Sequence, residues 1–88
     1  MRLVISGRVQ GVGYRAWFMD EARARTLTGW VRNRRDGAVE AIIAGEGKDV
    51  EVMIEASRKG PWGARVTSIE QAGAGDEGWA DLSIRQTG

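Results

Sequence analysis

The sequence predicts an α+β sandwich, an antiparallel sheet with two helices on one of its faces. Three observations lead there. Short apolar or alternating blocks of strand length recur along the chain, two stretches show apolar spacing of three and four, and Asp36-Gly37 marks a tight reversal between two of the blocks. The 88 residues, 42 % of them hydrophobic, suit one domain over 1–88 with a single modest core rather than a disordered chain.

Each element has its own warrant. Leu3-Val4-Ile5 through Val9 reads as the first strand. From Tyr14 to about Arg25, the residues Tyr14, Trp17, Phe18 and Ala22 share one helical face, with Asp20 and Arg23 outward. The second strand covers Gly29 to Arg35, and Asp36-Gly37 is a two-residue hairpin turn into a third strand, Ala38 to Ala44. Asp49 can cap a second helix, in which Val50, Met53, Ile54 and Ser57 lie on one side; Gly60-Pro61 stops it. Arg65 to Ile69 and Trp79 to Arg85 are the last two strands, joined by a Gly-rich loop from Ala72 to Gly78. The order is βαββαβ, the ferredoxin-like split arrangement.

Between the first strand and the first helix runs Ser6-Gly7-Arg8-Val9-Gln10-Gly11-Val12-Gly13-Tyr14-Arg15. A Gly-interrupted turn that feeds a helix N-terminus aims unpaired backbone N–H groups, and the positive end of the helix dipole, at one point. Gly11 and Gly13 permit positive φ and place no Cβ between those N–H groups and an oxyanion. Arg15 adds a planar fork that matches a phosphate. The turn from Gln10 through Gly11, Val12, Gly13, Tyr14 and Arg15 is therefore a candidate phosphate site. Gly11-Val12-Gly13-Tyr14-Arg15-Ala16 also fits a dinucleotide fingerprint, but the chain is too short for a doubly wound domain and the strand before it ends in polar residues. No lysine follows the glycines, so a Walker A loop does not fit.

Composition narrows the chemistry. There is no His and no Cys, which leaves no zinc site, no imidazole–nucleophile pair and no thiolate chemistry. Asp20, Glu21, Glu40, Glu46, Glu51 and Glu55 read as solvated surface charge. A net charge of +1 makes no broad basic field for nucleic acid, and no apolar run reaches the ~20 residues of a membrane span. The expectation is a cysteine-free cytoplasmic protein without metal or cofactor, with no nucleic-acid or membrane partner, and monomeric.

The run from Gly7 to Arg15, followed by Gly29-Trp30-Val31-Arg32-Asn33 and by Asp36-Gly37 with Val39-Glu40, resembles the acylphosphatase signature; Gly60-Pro61 with Ala64 and Val66 fits that family's looser later pattern. The resemblance covers nearly the whole chain. It implies a ferredoxin-like fold and hydrolysis of the carboxyl–phosphate anhydride of small acyl phosphates, without metal or cofactor, with inorganic phosphate as product and competitive inhibitor. It assigns phosphoryl binding to Arg15 with the turn's amides, and water orientation to Asn33, the one Asn in the chain. The chain departs from the family's pattern at Arg25-Thr26, where an apolar residue and a glycine are usual. Thr26 is poorly suited to a left-handed helix cap, and the stem of Arg25 is expected to lie over the core edge. Trp62 is read as an aromatic packed on the surface.

The residue types suit this chemistry in their own right. An acyl phosphate departs as a carboxylate, stable at neutral pH, so no general acid is needed. What remains is to hold the phosphoryl oxygens, offset their charge and place water in line. A non-catalytic anion-binding module is the alternative, although it has no use for a water-positioning Asn. An RNA-binding sheet fits less well, since the third strand offers no aromatic pair for stacking.

Overall fold

The computed structural model describes residues 1–74 and 82–88. Its elements are β1 (Arg2–Arg8), α1 (Tyr14–Ala24), β2 (Thr28–Asn33), β3 (Val39–Ala44), α2 (Gly47–Lys59), β4 (Arg65–Ala72) and β5 (Leu82–Ile84). The five strands form one sheet in the order β4-β1-β3-β2-β5. β1 pairs antiparallel with β3 and β4, and β2 pairs antiparallel with β3. β5 lies parallel to β2, with Val31 opposite Ile84. The α+β architecture is the expected one, but the sheet is mixed rather than wholly antiparallel. The reason is directional: β5 runs opposite to β4, and the outer edge it joins belongs to β2, which also runs opposite to β4.

Alternation along the strands decides where the core lies. Leu3, Ile5, Val31, Val39, Ala41, Ile43 and Leu82 point to one face of the sheet and join Tyr14, Phe18 and Ala22 of α1 with Met53 and Ile54 of α2 in one buried cluster. The two helices cover that face because their apolar residues recur at helical spacing. Each large side chain fully buried here is worth about 1.5–3 kcal/mol relative to its exposed state.

Several boundaries differ from the sequence reading. β2 stops at Asn33, and Arg34 to Ala38 form a wider turn than the expected two-residue one. Arg34 N–H donates to the Ala38 carbonyl at 2.8 Å, Gly37 N–H donates to the Arg34 carbonyl at 3.2 Å, and Gly37 has φ +96°. This is a three-residue hairpin loop that ends in a left-handed residue; Asp36 ties it by accepting from Ala38 N–H and pairing with Arg34 at 2.9 Å. Glu46, in extended conformation, precedes α2 as its N-cap, and Asp49 sits inside the first turn without capping; its charge there still favours the helix dipole. β4 reaches Ala72, three residues past its expected end. Ile84 and Leu82 fall within the expected last strand, whereas Trp79–Asp81 and most of the expected Gly-rich loop lie outside the described residues.

The end of α1 is where the Arg25-Thr26 departure matters. Thr26 has φ +59°, a left-handed backbone that is unique among the described non-glycine residues. Thr26 N–H donates to the Arg23 carbonyl at 2.9 Å and Leu27 N–H to the Ala22 carbonyl at 3.0 Å, the paired bonds of a Schellman cap. Leu27 and Ala22 are both buried, which supplies the apolar contact such caps favour. Arg25 folds back on its own helix, donating to the Glu21 carbonyl at 3.0 Å and its carboxylate at 2.6 Å.

The opposite face of the sheet mixes Val4, Trp30 and Ile42 with Arg2, Arg32 and Glu40, and the carboxylate of Glu40 is not the solvated charge expected. Glu40 is only 5 % exposed. Its two oxygens accept from Arg32 and Arg2, each through Nε at 2.8 Å and a terminal nitrogen at 2.7 Å. Three adjacent strands bring these residues together, Arg32 directly opposite Glu40 and Arg2 two pairs along on the same face. Burial opposes ionisation of Glu40, but the two guanidiniums outweigh it and hold the carboxyl below its ordinary value.

Candidate active site

The turn between β1 and α1 has the backbone that the glycines predict. Gly11 and Gly13 both have φ +75°, and a Cβ at either would meet nothing within 4 Å. The demand at these positions is therefore conformational, since no neighbouring group crowds them. Gly13 is the N-cap of α1 and accepts the first helical bond from Trp17 N–H at 3.0 Å. The N–H groups of Tyr14, Arg15 and Ala16 precede any carbonyl four residues back within the helix. The first turn has no acidic residue, so the positive end of the dipole is unopposed there.

A pocket of about 250 Å³ opens at this turn. Gln10, Gly11, Gly13, Tyr14 and Arg15 line it together with Asn33, which brings the two halves of the expected site into one cavity. Val9, Ala16 and Ile84 complete its wall. Val12 is the one residue of the expected set that does not line it. Its side chain lies at the edge of the core, with Cγ1 3.9 Å from where a Cβ on Gly63 would stand. Among the described residues no carboxylate lines the pocket, so Arg15 and the helix end set its charge there.

The individual side chains divide the work. Among the described residues the guanidinium of Arg15 has no ion-pair or hydrogen-bond partner, whereas Arg2, Arg25, Arg32, Arg34 and Arg58 each hold a carboxylate. Gln10 is committed elsewhere: its Nε2 donates to the Arg34 carbonyl at 2.8 Å and to the Ala38 carbonyl at 2.9 Å. Its side chain thereby straps the phosphate turn to the β2–β3 hairpin, immediately beyond Asn33. Tyr14 is buried, and its hydroxyl donates to the Ser57 carbonyl at 2.7 Å. Burial pushes its phenol well above the ordinary value, the bond to Ser57 acting the other way. The ring is a neutral anchor that pins the start of α1 to α2.

Asn33 ends β2 on the core side of the sheet. Its carbonyl accepts from Gly88 N–H at 3.1 Å, and its side-chain Oδ1 is buried without a hydrogen-bond partner. An unsatisfied buried carbonyl costs about 1–3 kcal/mol. An amide oxygen can only accept, so Oδ1 is open to a hydrogen-bond donor.

Ile84 and Ala16 were not among the residues read from the sequence. Ala16 follows Arg15 in the helix and could have been inferred from its position in the first turn. Ile84 depends on the parallel β2–β5 register, which no local pattern encodes. Trp62, expected to pack on the surface, is 99 % exposed and neither packs nor lines the pocket. Among the described residues, no three His, Cys, Asp or Glu side chains cluster to hold a metal ion, and no helix is long and apolar enough to cross a membrane.

Comparison with known proteins follows the same lines. The family profile described as Acylphosphatase matches residues 1–81. The chain is 60 % identical over 72 residues to an acylphosphatase of Azorhizobium caulinodans, covering 82 % of this chain and 77 % of the relative. It is 48 % identical over 88 residues to an acylphosphatase of Bradyrhizobium diazoefficiens, covering all of this chain and 86 % of the relative. The crystal structure of acylphosphatase from Bacillus subtilis superposes with a TM-score of 0.91 at 39 % identity, over 96 % of this chain and 94 % of that one.

Proposed function

The chain belongs to the acylphosphatase family, and from that premise we propose how its pocket performs the reaction. The enzyme hydrolyses the carboxyl–phosphate anhydride of acyl phosphates to a carboxylate and inorganic phosphate. Arg15 and the backbone N–H groups of the turn from Gln10 to Arg15 hold the phosphoryl oxygens. The fork supplies two parallel donors and a full positive charge, and the helix end adds its dipole. Asn33 Oδ1 accepts from a water O–H and fixes that water beside the phosphorus. The water oxygen attacks in line, the bond from phosphorus to the acyl oxygen breaks, and its electron pair leaves on the carboxylate. The water's remaining proton is released to solvent. Because the leaving carboxylate is stable at neutral pH, the pocket needs no acid to protonate it.

One observation supports this assignment: Arg15 and Asn33 line the same 250 Å³ pocket from different segments, and the side-chain Oδ1 of Asn33 is buried with no hydrogen-bond partner among the described residues. A purely anion-binding role gives that oxygen no task. The reaction requires no metal, and inorganic phosphate, which occupies the same donors, acts as a competitive inhibitor. The protein works as a monomer in the cytoplasm. Its composition lacks cysteine, and the exposed large hydrophobics among the described residues, Val52, Trp62 and Ile84, stand on three separate segments.

The test is turnover of a synthetic aromatic acyl phosphate. Hydrolysis is expected to continue unchanged in excess chelator, with inorganic phosphate raising KM and leaving kcat alone. Loss of activity in chelator, restored by Mg²⁺, would overturn the assignment.

A further inference from the structure

We propose that Ile84 sets the choice of nucleophile, keeping the space beside Asn33 to the size of a water so that the phosphoryl group passes to water and not to an alcohol. This rests on the water-positioning reading of Asn33 and adds to it. Three observations carry it. Ile84 lines the pocket, yet it is 45 % exposed, so one side of the chain faces the cavity and the other solvent. Its register opposite Val31 on the parallel partner strand places it two residues short of Asn33. Alternation then puts Val31, Asn33 and Ile84 on the same face of the sheet, with Oδ1 at the end of that row.

In-line transfer decides which side of the substrate this wall meets. Attacking and leaving oxygens stand on opposite sides of phosphorus, so the group next to Asn33 faces the incoming nucleophile. A branched aliphatic side chain beside the row that ends at Asn33 obstructs the carbon that an alcohol oxygen carries with it, a burden that water lacks. The obstructed reaction is balanced chemistry. The alcohol oxygen would bond to phosphorus, the acyl oxygen would leave with its electron pair as a carboxylate, and the alcohol proton would pass to solvent, giving an alkyl phosphate.

The experiment measures products rather than rate alone. An aromatic acyl phosphate is turned over by the wild-type enzyme and by Ile84→Ala in water containing methanol, and methyl phosphate and inorganic phosphate are quantified by ³¹P NMR. Wild type is expected to yield inorganic phosphate almost alone, and Ile84→Ala to raise the methyl phosphate fraction at least fivefold, with inhibition by inorganic phosphate unchanged. Ile84→Val, which keeps the branched edge-strand side chain and removes one methyl, should fall between them and guards against misfolding of the alanine variant. An unchanged product ratio in both folded variants overturns the proposal. So does a change confined to the preference between aromatic and acetyl phosphates, which would place Ile84 on the leaving-group side. Either result leaves the Asn33 assignment standing, since that fails only if Asn33→Ala retains its turnover.

Discussion

Arg15 and Asn33 share a pocket, but in the proposed mechanism they act at different moments of the reaction, and substitutions should separate them. There Arg15 meets the phosphoryl group in the bound substrate as well as in the transition state. Arg15→Ala is therefore expected to weaken inhibition by inorganic phosphate and to lower kcat together, on the scale of about 10³–10⁵ known for charge-stabilising arginines. Arg15→Lys should recover little, because an ammonium cannot reproduce the two-pronged donor. In the same mechanism Asn33 acts on a water whose placement counts only as the bond forms. Asn33→Ala should cut kcat by at least about 10² while phosphate inhibition stays near wild type. Steady-state kinetics with phosphate as inhibitor checks both. Turnover retained in Asn33→Ala would reduce Asn33 to a strand residue and leave its buried oxygen unexplained. Both residues were legible in the sequence because each sits in a compact local motif. The engagement of Gln10 was not, since its acceptors, Arg34 and Ala38, are more than twenty residues away and become neighbours only when the hairpin folds against the turn.

Among the elements, α1 carries the clearest local tension. Its C-terminal cap needs a left-handed residue and has a β-branched one, Thr26 at φ +59°. A side chain with a branched Cβ is strained there. Thr26→Gly relieves that strain but adds freedom to the unfolded chain, so the net expectation is stabilisation by up to about 1 kcal/mol. That corresponds to a Tm rise of a few degrees for a domain of this size, measurable by calorimetry, with activity unchanged. The anomaly could be seen in the sequence because the family that the chain resembles usually has a glycine where Thr26 stands. The mixed sheet could not. Whether β5 joins parallel or antiparallel depends on which edge it reaches, and that edge is β2, some fifty residues earlier in the chain. The hairpin misread has a different cause. Asp36-Gly37 suits a two-residue turn, but Gln10 and the Arg34–Asp36 pair favour the wider loop.

For the molecule as a whole, acid sensitivity is the testable property. Glu40 ties β1, β2 and β3 together through Arg2 and Arg32, and its folded carboxyl titrates below its ordinary value of 4.5. A group with a depressed folded value contributes stability that is complete above the unfolded value and is lost as pH falls through the folded one. Glu40→Gln is therefore expected to cost about 1–3 kcal/mol at pH 7. The difference from wild type should narrow as pH drops below about 4.3, the ordinary range of a glutamate. Urea denaturation at pH 7 and pH 3 gives both values; an equal difference at the two would show that the carboxylate's charge contributes nothing. Treating Glu40 as solvated was reasonable from an alternating strand, because its partners Arg2 and Arg32 lie on the neighbouring strands rather than beside it in sequence.

The order of the strands also governs when the enzyme can come into being during folding. β1, which leads into the phosphate turn, lies between β3 and β4, and Asn33 reaches its place only when β2 closes against β3. A chain that has paired β2 with β3 but not yet captured β1 already holds Asn33 in a strand, with no turn strapped beside it. Closing those long loops is the slow part of forming such a sheet. The pocket therefore forms only once both the β2–β3 and the β1–β3 pairings are in place, and a chain that lacks either exposes unpaired strand edges and cannot bind a substrate that would stabilise it.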